Sequence, residues 1–456
     1  MHRALAVTAL AVWMASASAQ STISVAYFEI DVTPPIGTPL CGGSVKPAMA
    51  IDDPLSARGL VLLPKNQAAI VLCAVDWVGI ANASYDDWRG ALASAADTTP
   101  ERVAVHTLHQ HDAPFVDQST EELIAAYGLG GQMYDVAAAS DSIQRAAKAV
   151  SDAVLAAVPV THVSTGKAVV DRVASNRRIL GEDGRVEHVR WTATADSKVR
   201  AFGVGTIDPY VRCIGLWNEG APVAALTYYA THPQSNYGRG RVSADFVGMA
   251  RSMLEHELPG VKVVHFNGAG GNVGAGKYNN GAIENRTVLA ERLFEGMRLA
   301  WEFGERTPVS AADVTWLVHS VALPLRDDVD ENHERVRLAD EALKPGEREQ
   351  AAHEIVWMER VRQGHKIDLS LLNIGPASIL HMPGELFVEY QLAAQAMRPE
   401  GFVAMASYGE YGPGYIGTRI AYTQGGYEDA VYVSRTAPKV EVVLLEGMRA
   451  LLEQSR

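Results

Sequence analysis

Three of the chain's 14 histidines fall within residues 106–112, which concentrates possible metal ligands in one short segment. In an extended chain the side chains of His109 and His111 point to the same side, because side chains alternate with period two. Neutral imidazole is the commonest protein ligand of zinc. The segment therefore predicts two imidazoles at one pocket, and a polar turn without chemistry is the alternative.

Two further candidates follow apolar segments elsewhere in the chain. His232 comes directly after the strand-like residues 221–229, and Glu385 follows two short predicted strands. Polar side chains at the ends of neighbouring strands meet at one edge of a sheet, where α/β proteins assemble their sites. Glu385 also lies at a predicted helix start, where the positive end of the helix dipole favours an ionised carboxylate. Such a carboxylate is a suitable metal ligand.

Two loops could hold or orient a substrate. Residues 267–276 contain five glycines, which permit close approach of the backbone to a ligand. The segment lacks the Gly-Lys-Ser/Thr ending of a phosphate-binding loop, so we favour an oxyanion-binding turn, with an ordinary loop as the alternative. Residues 408–427 contain five tyrosines, which could ligate a metal, stack on a sugar or acyl chain, or only pack.

The elements that must position these residues alternate between strands and helices. Apolar runs predict strands at residues 24–32, 59–63, 68–75, 102–107, 199–207, 221–229, 261–266, 369–374 and 378–381. Helical spacing predicts helices at residues 134–158, 244–258 and 440–453. Since no repeat or linker divides the chain, we predict an α/β fold in which one large domain, residues 20–456, has a mixed β-sheet and flanking helices.

Residues 326–366 interrupt this pattern. The segment is dense in Glu, Arg, Asp and His, and it predicts surface helices with a break near Pro345-Gly346. We interpret it as a charged, solvated helical excursion from the domain.

Composition and charge exclude several classes of protein. The chain has 456 residues and a net charge of −13, and this excess of acid argues against a nucleic-acid partner because little is available to neutralise phosphates. The three cysteines, Cys41, Cys73 and Cys213, are far apart. Neither a disulfide framework nor a cysteine zinc site is therefore predicted.

The N-terminus has the features of a secretory signal peptide. Arg3 precedes an apolar run, and Ala17-Ser18-Ala19 matches the small-residue cleavage pattern. We predict a signal peptide over residues 1–19 and a secreted or periplasmic mature protein, with an N-terminal membrane anchor as the alternative. No later stretch of about 18 apolar residues predicts a transmembrane segment.

Several short motifs occur in a characteristic order along the chain. They are residues 31–37, residues 53–58, residues 109–114, Asn176-Arg177, Thr231-His232-Pro233, Pro383-Gly384-Glu385, residues 415–418 and Tyr427-Glu428. Together these motifs resemble the neutral/alkaline non-lysosomal ceramidase family, specifically its N-terminal catalytic domain. The resemblance extends over most of residues 25–436.

The resemblance implies one zinc ion per chain as cofactor. The ligands carried over from the family are His109, His232, Glu385 and Tyr415. Two imidazoles, a carboxylate and a phenolate form a mostly hard nitrogen and oxygen site that suits Zn²⁺. An open position at the metal would hold water with a pKa lowered toward ~7.

The remaining site residues implied by the resemblance form two groups. Arg177 and Tyr427 stabilise the developing oxyanion, and His111 moves a proton. The residues expected to bind substrate are Asp112, Asn176, Gly271 and Asn272.

The sequence departs from the family pattern in three places. Gly271 stands where the family has a serine, so the hydroxyl is missing, and Asp112 stands where the family has another serine. No counterpart of the family's C-terminal immunoglobulin-like domain is expected after the tyrosine loop. These departures leave the metal site intact but argue against ceramide itself as the substrate. A fold and its metal site can persist while the substrate changes.

The sequence thus predicts a secreted, zinc-dependent amidohydrolase in which zinc-bound hydroxide attacks the carbonyl of an N-acyl substrate. The alternative is a carbohydrate-active glycosidase or lyase at the same metal site, because the loop tyrosines would suit a sugar. A binding protein that keeps the site without turnover is a third reading. The oligomeric state stays open.

Overall fold

Three β-sheets of four or five strands form the framework of residues 22–454, which are the residues that the computed structural model describes. The predicted signal peptide, residues 1–19, lies outside them. The strands are β1 (Ile23–Asp31), β2 (Ala50–Ile51), β3 (Ser56–Pro64), β4 (Ile70–Val75), β5 (Gly79–Ile80), β6 (Val103–Thr107), β7 (Phe115–Val116), β8 (Val158–Val160), β9 (His162–Val169), β10 (Ser175–Asn176), β11 (Arg178–Leu180), β12 (Val186–Val189), β13 (Tyr210–Asn218), β14 (Ala221–Tyr229), β15 (Arg241–Val242), β16 (Lys262–Asn267), β17 (Val273–Gly274), β18 (Glu305–Pro308), β19 (Val314–Val321), β20 (Ile367–Ile374), β21 (Ala377–His381), β22 (Glu385–Leu386), β23 (Phe402–Ala406) and β24 (Tyr415–Ile416). The helices are α1 (Ala83–Ala95), α2 (Gln118–Ala125), α3 (Val136–Val154), α4 (Ser197–Ala201), α5 (Asp245–Glu257), α6 (Asn285–Glu302), α7 (Glu331–Ala339), α8 (Pro345–Arg362), α9 (Val388–Met397), α10 (Ala421–Gln424) and α11 (Val440–Gln454).

Each of the three sheets combines antiparallel strands with one parallel pair. The strand orders are β6-β4-β3-β1-β8, β16-β14-β13-β9-β18 and β19-β20-β21-β23. The parallel pairs are β4 with β6, β14 with β16 and β21 with β23. A parallel pair needs a crossover, and the helices α1, α5 and α9 lie in these three connections. Each sheet therefore carries one strand–helix–strand unit at its edge.

One buried apolar cluster joins the three sheets. Leu72 of β4, Leu226 of β14 and Ile379 of β21 are fully buried members of it. This shared core confirms the predicted α/β class, with mixed sheets and flanking helices in a single domain. In the described part of the chain, none of the helices combines the length and the apolar character that a membrane span requires.

The predicted elements agree with the structure at most positions and fail at one strand. The prediction at residues 221–229 matches β14 residue for residue, whereas the predicted strand at residues 199–207 is wrong. Asp196 instead accepts a hydrogen bond from the Lys198 backbone N–H and caps the short helix α4. The strand of this region is β13, which begins only after the apolar run has ended.

The charged segment of residues 326–366 forms two helices, α7 and α8, with a break between them as predicted. The interpretation of a solvated excursion is wrong for α8, because at most 1% of the surface of Trp357 and of Ile355 is exposed. A Cβ atom at Gly412 would lie only 2.7 Å from the Trp357 ring, so α8 packs directly against the tyrosine loop. Glu354 of α8 forms an ion pair inside the protein, because its Oε1 lies 3.0 Å from Nε of Arg435.

Candidate metal site

The candidate site lies beyond the carboxyl ends of three strands, one from each sheet. His109 follows β6, His232 follows β14, and Glu385, on β22, follows β21. One ligand atom from each of these residues lies within 4.8 Å of the other two, and all three residues are buried. The carboxyl ends of strands with parallel neighbours are where α/β proteins commonly bind ligands.

Backbone carbonyls fix the tautomer of both histidines. The Nδ1 atom of His109 lies 2.7 Å from the carbonyl oxygen of Val78, and Nδ1 of His232 lies 2.6 Å from that of Gly270. Because a carbonyl only accepts, each Nδ1 carries the proton and each Nε2 keeps a lone pair. Burial lowers the pKa of His232, and the nearby Arg177 lowers it further, so this imidazole is neutral.

Glu385 directs one carboxylate oxygen at the two lone pairs. Its Oε2 lies 3.1 Å from Nε2 of His109 and 2.9 Å from Nε2 of His232, yet it makes no hydrogen bond. Three buried atoms with lone pairs that face one another fit a bound cation.

A short parallel strand pair brings Tyr415 to the same point. The strands β22 and β24 pair in register, with Glu385 opposite Tyr415. The Tyr415 Oη lies 3.1 Å from Nε2 of His232 and accepts a 3.0 Å hydrogen bond from Nη1 of Arg177. Burial raises the pKa of Tyr415 well above its usual value, although Arg177 lowers it. Loss of this phenolic proton therefore needs a stronger positive charge, such as a metal ion.

Glu385 reaches the site by a different route from the one predicted. It does not begin a helix, because it lies on β22 and α9 begins only at Val388. Its backbone N–H donates a 2.9 Å hydrogen bond to Gly414. The preceding Gly384 has a φ of +57°, and a Cβ atom there would lie 2.5 Å from the Gly414 oxygen. A glycine turn and strand pairing, and not a helix dipole, position the carboxylate.

His111 lies at the cluster, whereas Asp112 contacts the neighbouring loops. The Nε2 of half-buried His111 lies 3.3 Å from Nε2 of His109. His109 has a φ of +67°, so a turn, and not the extended alternation we expected, brings the two rings together. The Asp112 Oδ1 accepts a 2.9 Å hydrogen bond from the Gly238 backbone, and its Oδ2 lies 3.8 Å from Arg286. A role for Asp112 in substrate binding stays a prediction.

Arg177 and Tyr427 form an aromatic and cationic wall beside the ligand cluster. The Arg177 guanidinium carbon lies 5.9 Å, 5.7 Å and 5.5 Å from the ring centres of Tyr415, Tyr427 and Trp191. The Tyr427 ring meets the Tyr415 ring edge to face at 5.7 Å. Since Nη1 of Arg177 also lies 3.2 Å from Nε2 of His232, this wall borders the candidate metal ligands directly.

The two asparagines expected to bind substrate are engaged with the protein. Asn176 donates a 2.9 Å hydrogen bond to the Thr206 carbonyl. Asn272 donates to Glu389 at 2.8 Å and accepts from the Val388 backbone N–H at 2.9 Å. Asn272 thereby ties the glycine-rich turn to the start of α9, and its contact with substrate stays a prediction.

The glycine-rich turn contains two glycines in different surroundings. A Cβ atom at Gly271 would lie 2.3 Å from the backbone oxygen of Glu385, so no side chain fits at this position unless the backbone moves. At Gly274 the atoms nearest to a Cβ atom would be those of Arg177 and His232, at 3.8 Å. Gly271 therefore permits close packing behind Glu385, and Gly274 leaves space beside the candidate metal ligands.

Three residues of the site were not assigned a role from the sequence. The Tyr411 hydroxyl donates to Oε1 of Glu385, and the Tyr408 ring stacks on His109 at 4.7 Å. Glu428 lies 3.3 Å from Nε of Arg177. The tyrosine loop and the Tyr427-Glu428 motif point to these residues, but spacing alone does not show which tyrosine faces which ligand.

The fold and the cluster define a mixed α/β protein with a candidate metal site of two histidines and a glutamate. Two solved structures have a similar fold. One is a ceramidase complexed with C2, with 15% identity, 95% of this chain and 76% of that chain covered, and a TM-score of 0.68. The other is a neutral ceramidase from Pseudomonas aeruginosa, with 16% identity, 95% and 75% covered, and a TM-score of 0.67. The chain thus has a neutral-ceramidase-like fold, which confirms the predicted resemblance at the level of the fold.

A scan against profiles of known families and a search of curated proteins each gave no match.

Proposed function

We propose that this protein is a zinc-dependent amidohydrolase that cleaves the amide bond of an N-acyl substrate. The observation that supports the metal is the convergence of Glu385 Oε2 with Nε2 of His109 and of His232, without a hydrogen bond at the carboxylate oxygen. The ligand set of imidazole nitrogen and carboxylate oxygen, with Tyr415 as the fourth ligand, suits zinc. The similarity to ceramidases supports an amide as the bond that is cleaved.

The residues beside the cluster have separate roles in this proposal. A bound zinc ion supplies Lewis-acid polarisation of the carbonyl and an activated water. Arg177 provides a buried positive charge, and Tyr427 provides a phenol, to stabilise the oxyanion that develops on the substrate. His111, half-buried at the edge of the cluster, exchanges a proton with the reacting groups through Nε2.

Water, and not a serine, is the nucleophile in this proposal. The two serines that lie near His232 in the sequence make other contacts. Ser235 accepts a 3.0 Å hydrogen bond from Arg286, and Ser243 donates a 2.7 Å hydrogen bond to Asp53. We expect chelators to abolish hydrolysis and serine-directed fluorophosphonates to leave it unchanged. Covalent labelling of a serine in proportion to lost activity would contradict this mechanism.

Metal content together with turnover tests the proposal. Elemental analysis of the purified protein should find close to one zinc per chain, and hydrolysis of N-acyl sphingosines or N-acyl amino acids should follow zinc content. Glu385→Gln removes the ligand charge and should lose both zinc and activity. The matched control is Glu354→Gln, which changes another buried glutamate that pairs with Arg435. A fully active protein without metal would sink the proposal.

A carbohydrate substrate is the second candidate, and two exposed aromatic rings favour it. Trp191 is 47% exposed beside Tyr427, and Tyr237 is 43% exposed beside His111. Flat aromatic faces at the mouth of a site can stack on sugar rings as well as on acyl chains. A panel of aryl glycosides and uronic-acid oligosaccharides, run beside the N-acyl compounds, separates the two candidates.

Export is part of the same proposal. We propose that residues 1–19 are removed as a signal peptide, and that residues 20–456 act as one catalytic domain outside the cytoplasm. In a Gram-negative host the protein should fractionate with the periplasm and begin at Gln20 in N-terminal sequencing. Recovery from the cytoplasm with residues 1–19 still attached would contradict this assignment.

A further inference from the structure

Glu428 is a fully buried carboxylate that bridges two arginines. Its side chain is 0% exposed, with Oε1 at 3.3 Å from Nε of Arg177 and Oε2 at 3.1 Å from Nη1 of Arg178. The two guanidinium side chains are themselves only 4% and 5% exposed. Solvent therefore contributes little to balancing these charges, and Glu428 supplies the negative charge beside both of them.

One of these two cations lies directly beside the candidate metal ligands. Nη1 of Arg177 is 3.2 Å from Nε2 of His232 and donates to the Oη of Tyr415 at 3.0 Å. A divalent ion held by His232 and Tyr415 would thus lie beside a buried guanidinium. In a poorly solvated interior, repulsion between like charges at such separations is strong.

We propose that Glu428 is a positioning residue for the metal site. Its carboxylate neutralises Arg177 and holds it against the aromatic wall, so that the cluster of His109, His232 and Glu385 can accept a divalent cation. This inference rests on the proposed metal-dependent function. It gives Glu428, the second residue of the Tyr427-Glu428 motif, a role that the proposed function does not assign.

Anchoring of the loop alone does not require the Glu428 carboxylate. Arg178 also donates to the carbonyl oxygens of Ala421 at 3.2 Å and Gly425 at 2.8 Å, which tie the same loop to β11. Arg177 has no second carboxylate as an ion-pair partner in the described part of the chain. Loss of the Glu428 charge should therefore act mainly through Arg177.

The test measures metal affinity and not only activity. Zn²⁺ and Co²⁺ affinities are determined by competition with a chromophoric chelator for the wild-type chain, Glu428→Gln, Arg177→Met and the double variant. We expect Glu428→Gln to bind zinc about 10- to 100-fold more weakly, as for other residues that support metal ligands. The double variant should bind zinc at least tenfold more tightly than Glu428→Gln, because the uncompensated guanidinium beside His232 is gone. The Co²⁺ absorption bands of the double variant should return toward those of the wild-type chain.

Controls separate this role from a general loss of stability and from failure of the proposed function. Glu354→Gln breaks a different buried pair, with Arg435, and should bind zinc as the wild type does. If Glu428→Gln does not fold, the comparison is made between Glu428→Asp, which should bind zinc, and the double variant. Equal zinc affinity of folded Glu428→Gln and wild type, or no recovery in the double variant, overturns the inference. A wild-type chain that binds no zinc overturns the proposed metal function itself.

Discussion

Two glycines three positions apart should respond in opposite ways to the same substitution. In Gly271→Ala the new Cβ atom would lie 2.3 Å from the Glu385 oxygen and 3.0 Å from the Leu386 oxygen, so β22 must move by about an ångström. Overpacking of this kind costs about 1–3 kcal/mol, and loss of the 2.9 Å bond from the Gly271 N–H to Leu386 adds about 1 kcal/mol. In Gly274→Ala the nearest atoms are 3.8 Å away, and a compatible alanine stabilises by about 0.4–1 kcal/mol through the unfolded chain.

Urea denaturation of both variants measures this difference. Gly271→Ala should be less stable than Gly274→Ala by about 2–5 kcal/mol, given the costs above. Because β22 carries Glu385, Gly271→Ala should also bind zinc more weakly, whereas Gly274→Ala should keep zinc and change only the space offered to substrate. Wild-type stability and wild-type zinc binding in Gly271→Ala would refute the reasoning, since so close a contact between the new Cβ atom and β22 must cost stability.

Two further predictions concern a hydrogen bond at the metal site and a buried carboxyl away from it. Tyr411→Phe removes the hydroxyl that donates to Oε1 of Glu385, and we expect zinc affinity to fall about 10- to 100-fold with the fold retained, as measured by calorimetric titration. Unchanged affinity would show that Glu385 needs no such support. Burial, helped by Glu121, raises the pKa of Glu349 from 4.5 to about 7. The folded state then holds a proton that the unfolded state releases, so this residue's contribution to stability is lost as pH rises from 4.5 to about 7, and Glu349→Gln should flatten the profile of urea midpoint against pH. Parallel profiles for the two proteins would contradict this assignment.

The convergence of the candidate ligands could be predicted because each follows a strand that an apolar run in the sequence indicates. His109, His232 and Glu385 all come soon after apolar runs, and strand ends at one edge of a sheet meet in space. The same apolar signal failed at residues 199–207, because the cap at Asp196 starts a short helix there. Apolar content alone does not distinguish a strand from a short helix followed by a loop.

Contacts within loops were beyond the reach of spacing arguments. The position of Tyr411 on Glu385 depends on how the tyrosine loop packs against α8, and therefore on the Trp357 ring beneath Gly412. The many charged residues of α8 led to the prediction of a solvated helix, although buried apolar residues hold this helix in place. The separate surroundings of Gly271 and Gly274 likewise depend on which backbone lies behind each, and a run of glycines carries no such information.

The origin of the site residues in separate strands has a consequence for how the protein folds. The candidate ligands lie on or follow different strands and are far apart in the chain, from His109 to Tyr415, so they meet only after contacts of high sequence separation have formed. The zinc ion that we propose would then find its site assembled only late in folding and would bind the nearly complete native state. By mass action it should slow the loss of native protein and raise the midpoint of unfolding, while leaving the rate of the early folding steps unchanged. In this chain the metal would stabilise the native state after folding and would not nucleate folding.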